Sequence, residues 1–130
     1  KIGKNCIIGQ GCFIGKNVKI GNNCKIQNNV SIFDGVTIED DVFVGPSTTF
    51  TNVKIPRSFI NQKKKFLKTY IKKGVSIGAN STILCGIKLG QFSLIGAGSV
   101  VTNNVRDYSL VYGNPAKHYG IVNKKGLKKL

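Results

Sequence analysis

The 130-residue chain has no Met and no Trp, three Pro, one His, and five acidic residues against twenty Lys and Arg. Without Met it has no initiator, so it is expected to be a processed protein or part of a longer one. No apolar run approaches the roughly 18 residues of a membrane span. No signal-peptide pattern opens the chain. The length allows one domain at most.

The formal net charge is +15. Three readings of it compete. One is nucleic-acid binding. The second is attraction of a polyanionic small substrate. The third is a lysine-rich surface with no specific role. The basic residues cluster only at Lys63-Lys64-Lys65 to Lys73 and at Lys124 to Lys129. The aromatic and basic face of an RNA-binding sheet is missing, so no nucleic-acid partner is expected.

What the chain does have is a period. Ile2, Ile8, Ile14, Ile20, Ile26, Ile32, Ile38, Val44 and Phe50 recur at every sixth position. Gly follows the anchor at Gly3, Gly9, Gly15, Gly21 and Gly45. Smaller residues stand two positions before it, including Cys6, Cys12, Val18, Cys24 and Val30. The pattern resumes at Ile77, Ile83, Leu89, Ile95 and Val101.

A helix repeats at about 3.6 residues and a lone strand at 2, so neither explains a period of six. A short strand plus a corner does. Three such units close a triangular coil, and coils stack at about 4.8 Å. Gly and Asn suit the left-handed backbone of such corners. The expected fold is therefore all-β: a left-handed parallel β-helix, or solenoid.

In this frame Cys6, Cys12 and Cys24 take the small interior position and behave as small hydrophobes. Cys85 falls at a corner. With His118 as the single His, no Cys/His metal set is available. Free thiols fit a reducing, cytoplasmic location.

The hexads break between Phe50 and Ile77. Residues 53–74 are expected to leave the wall as a protruding loop, bearing Arg57, a run of Lys, Phe59, Phe66 and Tyr70. Loops on a rigid scaffold often carry function. After Val105 the hexads are expected to stop. The division expected is a β-helix domain over residues 1–122 and a Lys-rich tail over 123–130, either a short helix or frayed.

The [Ile/Val/Leu]-Gly-x4 hexads resemble the hexapeptide acyltransferases. The stretches Ile95-Gly96-Ala97-Gly98-Ser99-Val100-Val101-Thr102 and Gly113-Asn114-Pro115-Ala116 look like that family's CoA-binding end. The segment from Asn29 to Phe43, with Gly45-Pro46-Ser47, Phe50-Thr51-Asn52-Val53 and Pro56-Arg57, is similar to bacterial N-acetyltransferases of UDP- or dTDP-linked 3-amino sugars. The resemblance implies a homotrimer that uses acetyl-CoA. The acceptor would be a nucleotide-linked amino sugar destined for surface polysaccharide.

Carried over position by position, the resemblance puts Ala79 and Ala97 on the pantetheine arm. Thr102 and Asn103 would lie near the adenine, and Lys117 near the CoA phosphates. Asn103 departs from the Lys often found there. Asn52 falls where sugar O-acetyltransferases of this fold keep a catalytic His. An amide cannot act as a general base near neutral pH, but it can orient an amine. The spacing adds Asp34. Lys16, Asp34 and Asn52 are each eighteen residues apart and should stack in one column. Asp34 could hold an ammonium group, or simply pair with Lys16. The alternatives are a non-catalytic β-helix scaffold and an O-acetyltransferase of the same fold. A γ-carbonic-anhydrase-like hydratase is excluded, since it needs three His and one is present.

Overall fold

The computed structural model describes residues 1–129. Its strands are short because each spans one flat side between two corners. The first are β1 (Ile7–Ile8), β2 (Phe13–Ile14), β3 (Lys19–Ile20), β4 (Lys25–Ile26), β5 (Ser31–Ile32) and β6 (Val36–Ile38). Then come β7 (Phe43–Val44), β8 (Thr49–Phe50), β9 (Thr69–Ile71), β10 (Ser76–Ile77), β11 (Thr82–Ile83) and β12 (Lys88–Leu89). The last are β13 (Leu94–Ile95), β14 (Val100–Val101), β15 (Ser109–Gly113) and β16 (Ala116–Ile121).

Every third strand pairs in parallel, which makes three walls. Sheet I is β1-β4-β7-β10-β13-β15, closed by antiparallel β16. Sheet II runs β2-β5-β8-β11-β14, and sheet III runs β3-β6-β9-β12. Successive coils are in register, with Ile8 opposite Ile26 and Ile26 opposite Val44. The fold is the left-handed parallel β-helix that the hexads predict. Among the described residues no helix is long and apolar enough to cross a membrane.

The anchors fill the prism. Ile26, Ile32, Phe50, Ile71, Ile77, Ile83, Leu89 and Ile95 are all 0% exposed. Each such side chain contributes about 1.5–3 kcal/mol on burial. The small interior residues have a second task. The thiols of Cys6, Cys12 and Cys24 donate to the carbonyls of Gly21, Gln27 and Glu39 in the next coil, at 3.1, 2.9 and 3.1 Å. Thr48 and Ser81 do the same with hydroxyls, reaching Gly78 and Gly96. Thus Cys, Ser and Thr interchange with Val because each closes a corner without leaving a void.

Two separate demands shape the corners. The residue right after an anchor lies against the backbone of the adjacent coil. A Cβ added at Gly78 would meet the Ala97 nitrogen at 2.4 Å, and one at Gly45 the Ala79 nitrogen at 2.6 Å. These glycines serve close approach. The left-handed backbone sits two residues later, at Asn23, Asn29, Asp41, Ser47, Asn80 and Phe92, with φ between 56 and 61°. There the amide donates to the coil below, for example Asn80 to the Pro46 carbonyl at 2.9 Å.

The excursion is shorter than the sequence suggests. Residues 53–74 do not leave the wall as one loop, because Thr69–Ile71 forms β9 and pairs with β6 and β12. Ile71 is a buried anchor, six residues before Ile77. Neither do the hexads stop at Val105. Val111 on β15 continues them and is 6% exposed. The tail is neither helical nor frayed over its described part. Asn123 caps a turn whose far side returns to Val122 through Lys128. Leu130 lies outside the described residues.

Two outcomes follow from this packing. Gly78→Ala is expected to destabilise the fold by about 1–3 kcal/mol, the usual range for overpacking, because it meets backbone that cannot swing away. Gly98→Ala, at φ +69° with open space around it, should cost only about 1–2 kcal/mol for its left-handed backbone. Urea midpoints of the two variants would check the order. Burial pushes the Cys24 thiol up from its ordinary value, which keeps it in the unreactive form. Timed alkylation read by mass spectrometry should therefore label half-buried Cys6 and Cys12 well before Cys24.

Candidate functional site

Two of the three corners are regular. At the corner from sheet III to sheet I, and at the one from I to II, backbone bonds join each coil to the next. The corner from sheet II to sheet III is different. It carries Lys16, Asp34, Asn52, Cys85 and Asn103, stacked by the register of Ile14, Ile32, Phe50, Ile83 and Val101. Here side chains take over bonds that backbone makes elsewhere. The Cys85 amide donates to Thr51 Oγ1 at 3.0 Å, and the Gly86 amide to Thr69 Oγ1 at 3.2 Å. Lys88 N–H donates to Asn104 Oδ1 at 2.9 Å.

The excursion leaves and returns at this corner. Leu67 N–H donates to the Asn52 carbonyl at 2.9 Å, and Thr69 N–H to the Gly35 carbonyl at 3.0 Å. Between these ties the returning chain crosses the corner. A cavity of about 510 Å³ opens beneath it. Its floor is Leu84, Cys85, Gly86 and Ile87, and Val53, Pro56 and Leu67 form the loop side. Thr51, Lys54, Thr102, Asn103 and Asn104 supply its polar groups. Such a cleft, mostly apolar with a few convergent polar groups, is the usual form of a small-molecule site.

Asn52 is half-buried at the base of the loop. Its side-chain amide makes no hydrogen bond within the described residues, so it is available to a ligand. Asp34 stands one coil below. Its Oδ2 accepts from Asn17 Nδ2 at 3.3 Å. The column expected for Lys16, Asp34 and Asn52 is present. The Lys16–Asp34 ion pair is not found among the described residues. Asp34 is also singular among the five acidic residues. Glu39 and Asp41 pair with Lys72 and Lys73 at 2.9 and 3.8 Å, and Asp40 and Asp107 accept backbone N–H at 2.7 and 3.0 Å. Those four all lie at the corner from sheet III to sheet I.

The other sequence-predicted residues form a second column. Ala79 and Ala97 follow β10 and β13 at the corner from sheet I to sheet II, one coil apart. Their amides donate to no protein acceptor within the described residues, which suits a ligand rich in amide carbonyls. Thr102 and Asn103 belong to the first column, at the opposite edge of β14, and line the large cavity. Lys117 is exposed on β16, opposite Tyr112. The structure thus groups Asp34, Asn52, Thr102 and Asn103 on one edge of sheet II and Ala79 with Ala97 on the other. His118 is on β16 and lines a separate, small cavity with Asn103 and Asn104. It is remote from Asn52, since Cys85 and Asn103 occupy the two coils between them.

Sequence reasoning missed Thr51, Leu67 and Cys85 as parts of the cavity. A signal for one of them, Thr51, was present. The glycine after the anchor is replaced at Phe33, Thr51, Leu84 and Thr102, which is every coil of this corner after Gly15. Up to Val101 the other corners lose this glycine at Gln27, Glu39 and Lys72 and regain it at Gly45 and Gly90, so the unbroken run of replacements marks this corner alone.

Residues 1–34, 17–52 and 68–103 match the bacterial transferase hexapeptide (six repeats) family. A stretch of 59 residues is 52% identical to dTDP-3-amino-3,6-dideoxy-alpha-D-galactopyranose 3-N-acetyltransferase of Aneurinibacillus thermoaerophilus. That match covers 45% of this chain and 31% of the relative, so the chain spans about a third of that protein's length. A hexapeptide-repeat acetyltransferase of Vibrio cholerae, solved with acetyl-CoA, superposes with TM-score 0.73 at 29% identity, over 88% of this chain and 69% of that one. A galactoside acetyltransferase solved with coenzyme A gives TM-score 0.84 at 27% identity, over 95% of this chain and 66% of that one. The matched segments flank the excursion and take in both walls that build the cleft, and the chain belongs to the bacterial transferase hexapeptide family.

Proposed function

We propose that this chain is the β-helix of an acetyl-CoA-dependent N-acetyltransferase whose acceptor is the amino group of a nucleotide-linked sugar, of the 3-amino kind. The observation that carries this reading is the corner column. Asp34 and Asn52 stand one coil apart at the corner where the excursion leaves and returns, and neither coil carries an imidazole. The 52% identity to a dTDP-3-amino-sugar acetyltransferase supports the choice of acceptor. Fold alone would not.

The chemistry asked of these residues is modest. An amine needs no base once it has lost its ammonium proton to solvent. The nitrogen then forms a bond to the thioester carbonyl carbon, the C–S bond breaks, and the proton shed by the nitrogen ends on the departing thiol. Asp34 would hold and aim the incoming ammonium. The Asn52 amide would hydrogen-bond the sugar and fix the angle of attack, since orientation is a large part of such a rate. A hydroxyl acceptor is a weaker nucleophile and would require the imidazole this corner lacks.

In this reading acetyl-CoA lies along sheet II. The free amides of Ala79 and Ala97 would bond the pantetheine carbonyls. Thr102 and Asn103 would line its path, and Lys117 would meet the phosphates. Residues 1–122 would form the catalytic prism, with residues 123–130 as an appendage. Three prisms would associate in the cytoplasm, and the product would enter surface-polysaccharide synthesis. The +15 charge would draw in both polyphosphorylated substrates.

Asn52→Ala is expected to lower kcat for amine acetylation about 10- to 100-fold, the loss of one orienting hydrogen bond. Thermal unfolding should be unchanged. Full turnover in the variant would remove Asn52 from the mechanism. CoA at a hundred times its Kd should stabilise the protein by about 2.7 kcal/mol. A melting scan showing no shift would leave a scaffold in place of an enzyme.

A further inference from the structure

The outer face of sheet III carries a second hollow, separate from the large cleft. Its volume is about 430 Å³, and it is lined by Asn17, Lys19, Gly35, Thr37, Lys68 and Tyr70. The register explains why these residues meet. Lys19, Thr37, Tyr70 and Lys88 are opposed on β3, β6, β9 and β12, each one residue before a buried anchor, so all four project outward in a row. Lys68 arrives from the returning excursion, one residue beyond Leu67. Asn17 and Gly35 come from the corner shared with Asp34 and Asn52.

Three features set this hollow apart from an ordinary solvated face. The lining holds two lysines and no carboxylate. All the acidic residues except Asp34 are at another corner, two of them engaged by Lys72 and Lys73. Tyr70 stands in the row with 43% of its surface exposed. Last, the hollow connects to the proposed acceptor site: Asn17 lines it and also donates to Asp34. An aromatic face beside paired cations, with a carboxylate at one end, matches one molecule in three parts. A flat base would stack on the ring. A diphosphate would lie between ammonium groups. The amine of an attached sugar would reach the carboxylate.

We propose that this hollow binds the nucleoside diphosphate of the acceptor. Tyr70 stacks the base, Lys19 and Lys68 hold the diphosphate, and the sugar amine is delivered to Asp34. The inference rests on the function proposed above and adds where the nucleotide lies. The two substrates then approach from opposite sides of the corner, the acceptor over sheet III and the acetyl donor over sheet II. The returning end of the excursion divides them, since Leu67 lines the large cleft and Lys68 the hollow.

The test is titration of the full chain with dTDP, UDP and inorganic pyrophosphate by calorimetry, followed by steady-state kinetics. The variants are Tyr70→Ala, Tyr70→Phe and the double change Lys19→Ala with Lys68→Ala. Lys25→Ala, on the outer face of sheet I, controls for general charge. Tyr70→Ala is expected to weaken dTDP and UDP at least about fivefold, as loss of base stacking does, and to leave pyrophosphate unchanged. Tyr70→Phe should bind as the parent does. The double lysine variant should weaken all three probes about tenfold or more, and added salt should shrink that difference. KM for the sugar nucleotide should rise in step while KM for acetyl-CoA stays fixed. Equal losses in Lys25→Ala would overturn the proposal, because they would report bulk charge. So would an increased KM for acetyl-CoA in the double variant, since the lysines would then serve the donor. A parent protein that binds neither dTDP nor UDP also overturns it. If CoA still stabilises that protein, acetyl transfer itself stands and only the nucleotide's place falls.

Discussion

Each coil of this protein is held to the next by backbone hydrogen bonds running along the prism axis, and those bonds form only if the coils stay in register. The Gly78 amide meets the Ile95 carbonyl at 2.8 Å, and the Gly45 amide meets the Ile77 carbonyl at the same distance. At these two glycines there is no room for a Cβ against the next coil. The interior anchors supply apolar burial, but the ladder decides where each anchor must stand. A one-residue slip would point Ile77 outward and Ser76 inward. Rigid walls and a fixed column geometry follow from this requirement.

The proposed site lies where the requirement is relaxed. At the corner from sheet II to sheet III the after-anchor glycine is absent beyond the first coil, and the chain departs after Thr51 to return at Thr69. The bonds lost there are remade by Thr51, Thr69 and Asn104 side chains. The corner thus stays defined while a cleft opens beside it. The acidic residues show the same division. Four of them complete the corner from sheet III to sheet I, by ion pairs or by accepting backbone N–H. Asp34 alone among them stands at the corner from sheet II to sheet III, where it accepts one 3.3 Å bond from Asn17. Rigidity on two corners and one excursion on the third would let a regular solenoid present a specific chemistry.

The two columns beside sheet II give the proposed reaction its geometry. Ala79 and Ala97 offer free amides on one edge, and Asn52 offers a free carboxamide on the other. The width of the sheet is a few residues, so a flexible thiol-bearing arm lying along it can bring its acyl end to the opposite corner. The excursion ties itself to Asn52 through its backbone, leaving that side chain free. In the proposed reaction the asparagine would only orient the amine, and its position is fixed by the ladder and the loop together.

The sequence alone determined the fold. A period of six with apolar anchors has one economical solution, and its register followed directly from the eighteen-residue spacing of Lys16, Asp34 and Asn52. Local chemistry also showed the small interior residues and the missing imidazole. The tertiary structure decided everything that depends on distance along the prism axis or on where the excursion lands. Ile71 is in phase with Ile77, six residues on, but fifteen inserted residues break its phase with Phe50, and only its pairing with β6 and β12 shows that the wall resumes there. Val111 was obscured because Val105 follows Val101 by four residues, which shifts the phase of the hexads. The tie between Leu67 and Asn52, the cleft over Cys85, and the row of Lys19, Thr37 and Tyr70 join residues far apart in the chain. Periodicity sets which wall a residue stands on; only the folded chain sets what the excursion covers and what it leaves open.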